Sequence, residues 1–249
     1  LTAHPLARRT PPLMSTRTKP RSAPTPPPKK RMSTPLRATM ISIIVVLVLV
    51  IAATIYVIAT RPQAPDPAGA EGALPGTRNN THVLDQAGPD APTLVEFLDF
   101  ECEACGAVYP AIEQVREQYD GKINYAFRYF PIPSHVNSMN AALAVEAAAQ
   151  QGQAEEMYDM MFQSQSGWGD QQVDHSDLFR TFAEGMGLDM AAYDAAVADP
   201  ATRERIEEDS VDGQSMGVSG TPTFFLDGER LELTQLSDLT DALDRAIGD

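Results

Sequence analysis

Two cysteines separated by two residues, Cys102-Glu103-Ala104-Cys105, are the only ones in 249 residues, so any disulfide or thiol chemistry within one copy must use this pair. Their setting narrows the fold. The apolar stretch Thr93-Leu94-Val95-Glu96-Phe97-Leu98 precedes them and reads as a buried strand. Behind them Val108, Ile112 and Val115 recur at helical spacing, with Tyr109 and Tyr119 alongside. Cys102 is therefore expected where a strand turns into a helix N-terminus. Unpaired N–H groups and the helix dipole favour an anion there, which lowers the pKa of a thiol at the first position. Residues i and i+3 of a first turn lie about 5–6 Å apart on one face, within the reach of a disulfide. The pair can open and close without rebuilding the chain around it.

Charge divides the sequence into unlike parts. Ten of the 19 basic residues lie at or before Arg61, whereas all 34 acidic residues follow position 65, so the chain beyond Arg61 carries a net −25. Such a domain is a poor ligand for nucleic acid or anionic lipid, both of which require positive surface. Residues 1–39 contain nine prolines and nine Lys or Arg with no acid, and are expected to form a disordered, basic cytoplasmic tail. The uncharged run that begins at Met40 and ends at Ala59 is long enough to cross a bilayer as a helix at about 1.5 Å per residue. A single transmembrane helix is predicted over residues 40–60, with the basic side in the cytoplasm. A cleaved signal peptide is the rival reading, but its apolar core runs to only about 7–15 residues. Residues 61–80, rich in proline and glycine, read as a flexible linker to an extracytoplasmic domain over residues 81–249. Disulfides persist in that compartment.

Within that domain the pattern alternates. A short strand near His82, the strand over 93–99, the cysteine-bearing helix and a strand over 123–130 come first. A helical block over about 135–216 follows. Its stripes include Met157, Met160 and Met161, whose spacing suits core packing better than copper binding. Asp199-Pro200 supplies a cap and a first-turn proline for the last helix of the block. A hairpin over residues 223–233, turning at Asp227-Gly228, and an amphipathic helix from Leu236 to Ile247 close the chain. The fold class is thus α/β.

The order strand, Cys-x-x-Cys, helical block, then Gly220-Thr221-Pro222-Thr223 entering a strand and hairpin resembles the DsbA-like branch of the thioredoxin superfamily, over residues 81–248. In particular it resembles membrane-anchored actinobacterial thiol:disulfide oxidoreductases. The resemblance implies a thioredoxin fold with an inserted helical subdomain, a redox-active cysteine pair and no cofactor. It makes Cys102 the sulfur that a client thiol attacks, and Cys105 the buried partner that is displaced and later re-forms the bond. It makes Glu96, six residues before Cys102, a buried carboxyl relaying protons for Cys105. It sets Pro222 in a cis-proline loop that faces the disulfide, shields the thiols from metal and, with the Thr221 backbone, aligns an extended client segment. The implied partners are reduced exported proteins and a membrane quinone-linked reoxidase.

Some residues depart from that pattern. Glu101 and Glu103 flank Cys102, and negative side chains there are expected to oppose its thiolate, giving a less oxidising disulfide. Arg128 is weighed as a partner for Glu96, and His135 as a group reaching the site; the plainer readings are a snorkelling arginine and a structural histidine. Alternatives to the oxidase are the same site run backwards, as a reductase or isomerase, and a copper-binding chaperone, which Pro222 disfavours. A structural zinc site lacks ligands, because His82, His135 and His175 are not paired at ligand spacing.

Overall fold

The computed structural model describes residues 74–248, together with Ile43 and residues 46–51, and divides the chain into two units at Arg61. In the first unit Ile43 and residues 46–51 are helical. Among the described residues no helix is long and apolar enough to cross a membrane. Apart from Ile43 and residues 46–51, the expected span over residues 40–60 lies outside the described residues, as do the basic tail and most of the linker.

The second unit is built on a five-stranded sheet. Its strands are β1 (His82–Asp85), β2 (Thr93–Leu98), β3 (Asn124–Tyr129), β4 (Thr223–Leu226) and β5 (Glu229–Arg230), in the spatial order β1-β3-β2-β4-β5. Only β2 and β3 run parallel, and α1 (Glu103–Gln118) makes the crossover between them. Five helices separate β3 from β4: α2 (Ser138–Ala149), α3 (Ala154–Ser164), α4 (Ser176–Gly185), α5 (Met190–Ala198) and α6 (Pro200–Ser215). A single 3₁₀ turn, Gln165–Gly167, follows α3, and α7 (Leu236–Ile247) ends the chain. This is the thioredoxin arrangement with a helical insertion that the sequence implied.

β2 is buried at every position, so its period of two feeds two cores. Leu94 and Leu98 face α1 and the insertion, as do Tyr125, Phe127 and Tyr129 of β3. Val95 and Phe97 face the other way with Ala126, Phe130, Val218 and Phe225. On that second face α6 comes so close that a Cβ added at Gly213 would lie 2.9 Å from a Phe97 ring carbon and 3.0 Å from one of Phe130. Gly213→Ala is expected to lower stability by about 1–3 kcal/mol through overpacking, despite the better helix propensity of alanine. Denaturant unfolding checks this; an unchanged midpoint would mean that α6 can back away.

The same alternation decides what Arg128 does. It stands beside Phe97 in register, whereas Glu96 stands beside Phe127, so the two charged side chains leave β2 and β3 on opposite faces. The candidate pairing with Glu96 is therefore ruled out by the pleat. Arg128 is instead fully buried against α6, bonded to Asp209 at 2.8 Å and to Asp212 at 2.6 Å, with its guanidinium over the Phe97 ring. Arg205 extends this network from Asp209 to Glu146 of α2, and Glu146 pairs with His82 of β1. Buried charges paired in this way tie the insertion to the sheet in one register.

The hairpin is shorter than its apolar pattern suggests. Asp227 and Gly228 both take positive φ, 51° and 83°, as a two-residue turn requires, but ladder pairing stops at Arg230. Leu231 and Leu233 leave the sheet because they pack on the α1–α7 core instead.

Candidate active site

Cys102 is the N-cap of α1, with extended backbone angles (φ −64°, ψ 120°) and no side-chain cap. Its N–H is held by Asp99 O at 3.1 Å, and its Sγ lies 3.4 Å from Thr221 O. The Thr221-Pro222 peptide is cis, and the Thr221 O contact sets its loop against the thiol. Cys102 is 8% exposed and Cys105, one turn on, is 1% exposed; both are free thiols. The Cys102 thiol is pushed down to about 5, first by a hydrogen bond from the Cys105 thiol, which outweighs the opposing effect of burial, then by the Thr221 side chain and by the N–H groups of Cys105 and Ala104. Burial pushes Cys105 well above the ordinary thiol range, and the neighbouring Cys102 and Glu96 push the same way. One sulfur is thus an anion at neutral pH and the other a proton donor.

Glu96 is on the α1 face of β2, fully enclosed, and burial raises its carboxyl to about 8. The Tyr125 hydroxyl, which donates to Glu96 Oε2 at 2.7 Å, draws it back, while Glu113 and Cys102 raise it further. Tyr125 OH is also 3.2 Å from Tyr158 OH. Glu96 is thus close enough for its charge to raise Cys105, and its carboxyl is held by the Tyr125 hydroxyl.

The acidic residues around Cys102 do not act as their sequence positions suggest. Glu101 is buried and turned away from the thiol, accepting from the backbone N–H of Asn137. Glu103 is exposed on the first turn. The strongest influence on Cys102 is the Cys105 donor, and with the other donors it outweighs burial, so the thiolate is stabilised despite both glutamates. Asp99, also buried, accepts from Glu101 N at 2.9 Å, Ile132 N at 3.1 Å and His135 Nδ1 at 2.7 Å. His135 thus braces the loop before Cys102 through Asp99. The other two weighed histidines are engaged separately, His82 with Glu146 and His175 with Gln171.

Further along α1, from Ala107 on, an open groove of about 410 Å³ runs between that helix, Pro222 and the start of α7. Val108, Ile112, Pro222, Phe224, Leu231 and Leu236 line it. Sequence reasoning missed Tyr125, Asp99, Asn137 and Gln165, the last of which holds the carbonyls of Phe100 and Cys102. Only Asp99, three residues before the N-cap, carried a local signal, that of a turn-forming residue at a helix entry.

A parallel β2–α1–β3 unit, a dithiol at the N-terminus of α1 and a cis-proline loop facing it define a thioredoxin-type redox domain. The family model described as Thioredoxin matches residues 84–245, and the chain belongs to that family. It is also 35% identical over 170 residues to a protein named Na(+)/H(+) antiporter NhaA 1 from Mycobacterium sp. (strain KMS), a match covering 67% of this chain and 26% of that protein. The chain thus spans about a quarter of the length of the curated relatives it matches. Among solved structures, alpha-DsbA1 of Wolbachia pipientis superposes with a TM-score of 0.60 at 21% identity, covering 69% of this chain and 93% of that one. A thioredoxin-like oxidoreductase from Silicibacter pomeroyi DSS-3 gives a TM-score of 0.56 at 25% identity, covering 69% and 95%.

Proposed function

We propose that this chain is a membrane-tethered, extracytoplasmic thiol:disulfide oxidoreductase that introduces disulfides into exported proteins through Cys102 and Cys105. The observation that carries this reading is the opposite displacement of the two thiols, Cys102 down to about 5 and Cys105 well up. A client thiolate attacks Cys102 Sγ of the disulfide, the Cys102–Cys105 bond breaks, and a mixed disulfide forms. Cys105 leaves as a thiolate, takes a proton from its surroundings, with the buried, protonated Glu96 the candidate donor, and so is held out of the reverse reaction. A second client thiolate then attacks the mixed disulfide, and Cys102 leaves as a stable thiolate. The client ends oxidised by two electrons, the protein reduced by two. Stabilising that leaving thiolate favours the reduced protein and makes its disulfide a stronger oxidant.

The groove beside Pro222 suits an extended client segment, and the family resemblance gives the Thr221 backbone the role of aligning it. The apolar run over residues 40–60 and the switch from basic to acidic sequence after it support a tether with the redox domain outside. The names of its curated relatives, sodium/proton antiporters, fit a setting at a membrane. With no third cysteine, a membrane quinone-linked reoxidase would return the dithiol to the disulfide. Run in reverse, the site would serve as a reductase or isomerase; the acidity of Cys102 favours donation.

The test is to equilibrate the full chain in detergent against glutathione buffers and read the oxidised fraction by thiol alkylation. A potential above about −200 mV is expected for a disulfide donor. A value near the roughly −270 mV of a thioredoxin would overturn the oxidase direction.

A further inference from the structure

The N–H groups that stabilise the Cys102 thiolate belong to Ala104 and Cys105, in the first turn of α1. That turn begins at an N-cap with no side-chain cap, so something else must hold its orientation toward the sulfur. The candidate comes from the insertion. Gln165, in the 3₁₀ turn after α3, donates its Nε2–H groups to Phe100 O and to Cys102 O, both at 2.8 Å. Cys102 O also accepts the first helical bond of α1, from Gly106 N at 3.1 Å. The carboxamide therefore grips the loop on both sides of Glu101 and the first turn at its opening carbonyl.

Two glycines make room for it. A Cβ built on Gly106 would fall 1.8 Å from Gln165 Oε1 and 2.6 Å from its Cδ, so the amide rests against a bare Cα. On the other side Gly169 donates to Gln165 O at 2.7 Å, and a Cβ there would lie 3.0 Å from that oxygen. Trp168, fully buried, also donates its backbone N–H to Gln165 O, and its indole N–H reaches Ser164 Oγ at 3.1 Å. The turn is anchored in the insertion, and its one long amide reaches out to the redox loop.

We propose that Gln165 is a positioning residue through which the helical insertion holds the first turn of α1 aimed at Cys102 and so sets the reactivity of that sulfur. The proposal deepens the exchange reading by adding a part to the same site. Its signature is a coupling between two residues that are far apart in sequence and meet only here. Gln165→Met keeps the bulk and removes the donor. Gly106→Ala removes the same grip from the opposite side, because the far end of a flexible side chain is what has to yield.

The experiment is an ultraviolet titration of the Cys102 thiolate in the reduced full chain in detergent, for the wild type, both single variants and the double variant. Each single variant is expected to raise the Cys102 pKa by about half a unit to one unit, the scale on which helix-terminus donors tune thiols. The double variant is expected to shift it no further than the larger single shift, since both remove one contact. An unchanged pKa in Gly106→Ala, or shifts that simply add, would overturn the proposal even if the melting temperature falls. Should Gln165→Met fail to fold, Gly106→Ala alone decides, because alanine favours the helix it enters. The titration uses no client. A wild type that transfers no disulfide yet shows the coupled shifts would sink the exchange reading and leave the Gln165 grip standing.

Discussion

Cys102→Ser is expected to reduce disulfide transfer to the uncatalysed background, whereas Cys105→Ser is expected to arrest exchange as a covalent complex. The asymmetry follows from burial and charge. Cys102 is the sulfur under the Thr221-Pro222 loop and the one that is an anion near neutrality; Cys105 is 1% exposed and holds its proton. In Cys105→Ser the Cys102 thiolate still attacks an oxidised client, breaking the client disulfide, forming a mixed disulfide and releasing the other client sulfur as a thiolate. Nothing within the protein can then resolve it. Non-reducing electrophoresis after incubation with a disulfide-containing client reads the trapped species, and a Cys102→Ser/Cys105→Ser chain is the blank. Cys105→Ala, which unlike serine keeps no side-chain donor, carries a second expectation. The Cys105 thiol is the largest single influence holding Cys102 down at about 5, so its loss should move Cys102 back toward the ordinary thiol range. The movement should stop short of that range, because the Thr221 side chain and the backbone N–H donors of residues 104 and 105 remain. Equal trapping by the two single variants would mean that the roles of the sulfurs are misassigned.

What was legible in the sequence is what depends on local periodicity. The apolar run before Cys102, the helical spacing after it, and the Asp227-Gly228 turn place β2, α1 and the β4–β5 hairpin, because each is encoded within a few residues. Asp199 does cap α6, accepting from Ala201 N at 2.9 Å, with Pro200 at its first position. Side-chain partnerships across elements were not legible. Whether Glu96 meets Arg128 or Tyr125 depends on which face each takes in a parallel pair, and one residue of register reverses the answer. Glu101 looked like a charge acting on Cys102 because it is adjacent in sequence; its carboxylate instead satisfies the Asn137 N–H from a loop 36 residues away. Gln165 lies 63 residues from Cys102 in an unremarkable polar turn, and only the packed insertion brings the two together. The cysteine chemistry was readable from a motif, and the machinery that tunes it was not, because tuning is done by groups of distant sequence origin.

Glu96→Gln is expected to make the oxidised protein more stable at pH 8–9 by several kcal/mol while changing little near pH 4. The carboxyl is enclosed, and burial raises it from about 4.5 in an open chain to about 8 in the fold. Between those values the unfolded chain has released this proton and the folded protein still holds it, so stability declines as pH rises across the window and levels off above about 8. Below about 4.5 both states hold the proton and the penalty is absent. Each unit of displacement corresponds to about 1.4 kcal/mol, so the full window represents a loss of roughly 5 kcal/mol that glutamine, uncharged throughout, does not suffer. Glutamine also retains an acceptor for the Tyr125 hydroxyl, so the comparison isolates the charge. The measurement belongs on the disulfide form, where neither cysteine titrates; the main causes of the shift, burial and Tyr125, do not depend on the thiols. Urea unfolding of both proteins from pH 4 to pH 9 gives the two curves. Parallel curves would mean that Glu96 is already ionised in the fold and unfit to lend a proton to Cys105. Curves that meet at low pH and diverge toward pH 8, together with slower client oxidation by Glu96→Gln, would tie the cost of burying this carboxyl to its use.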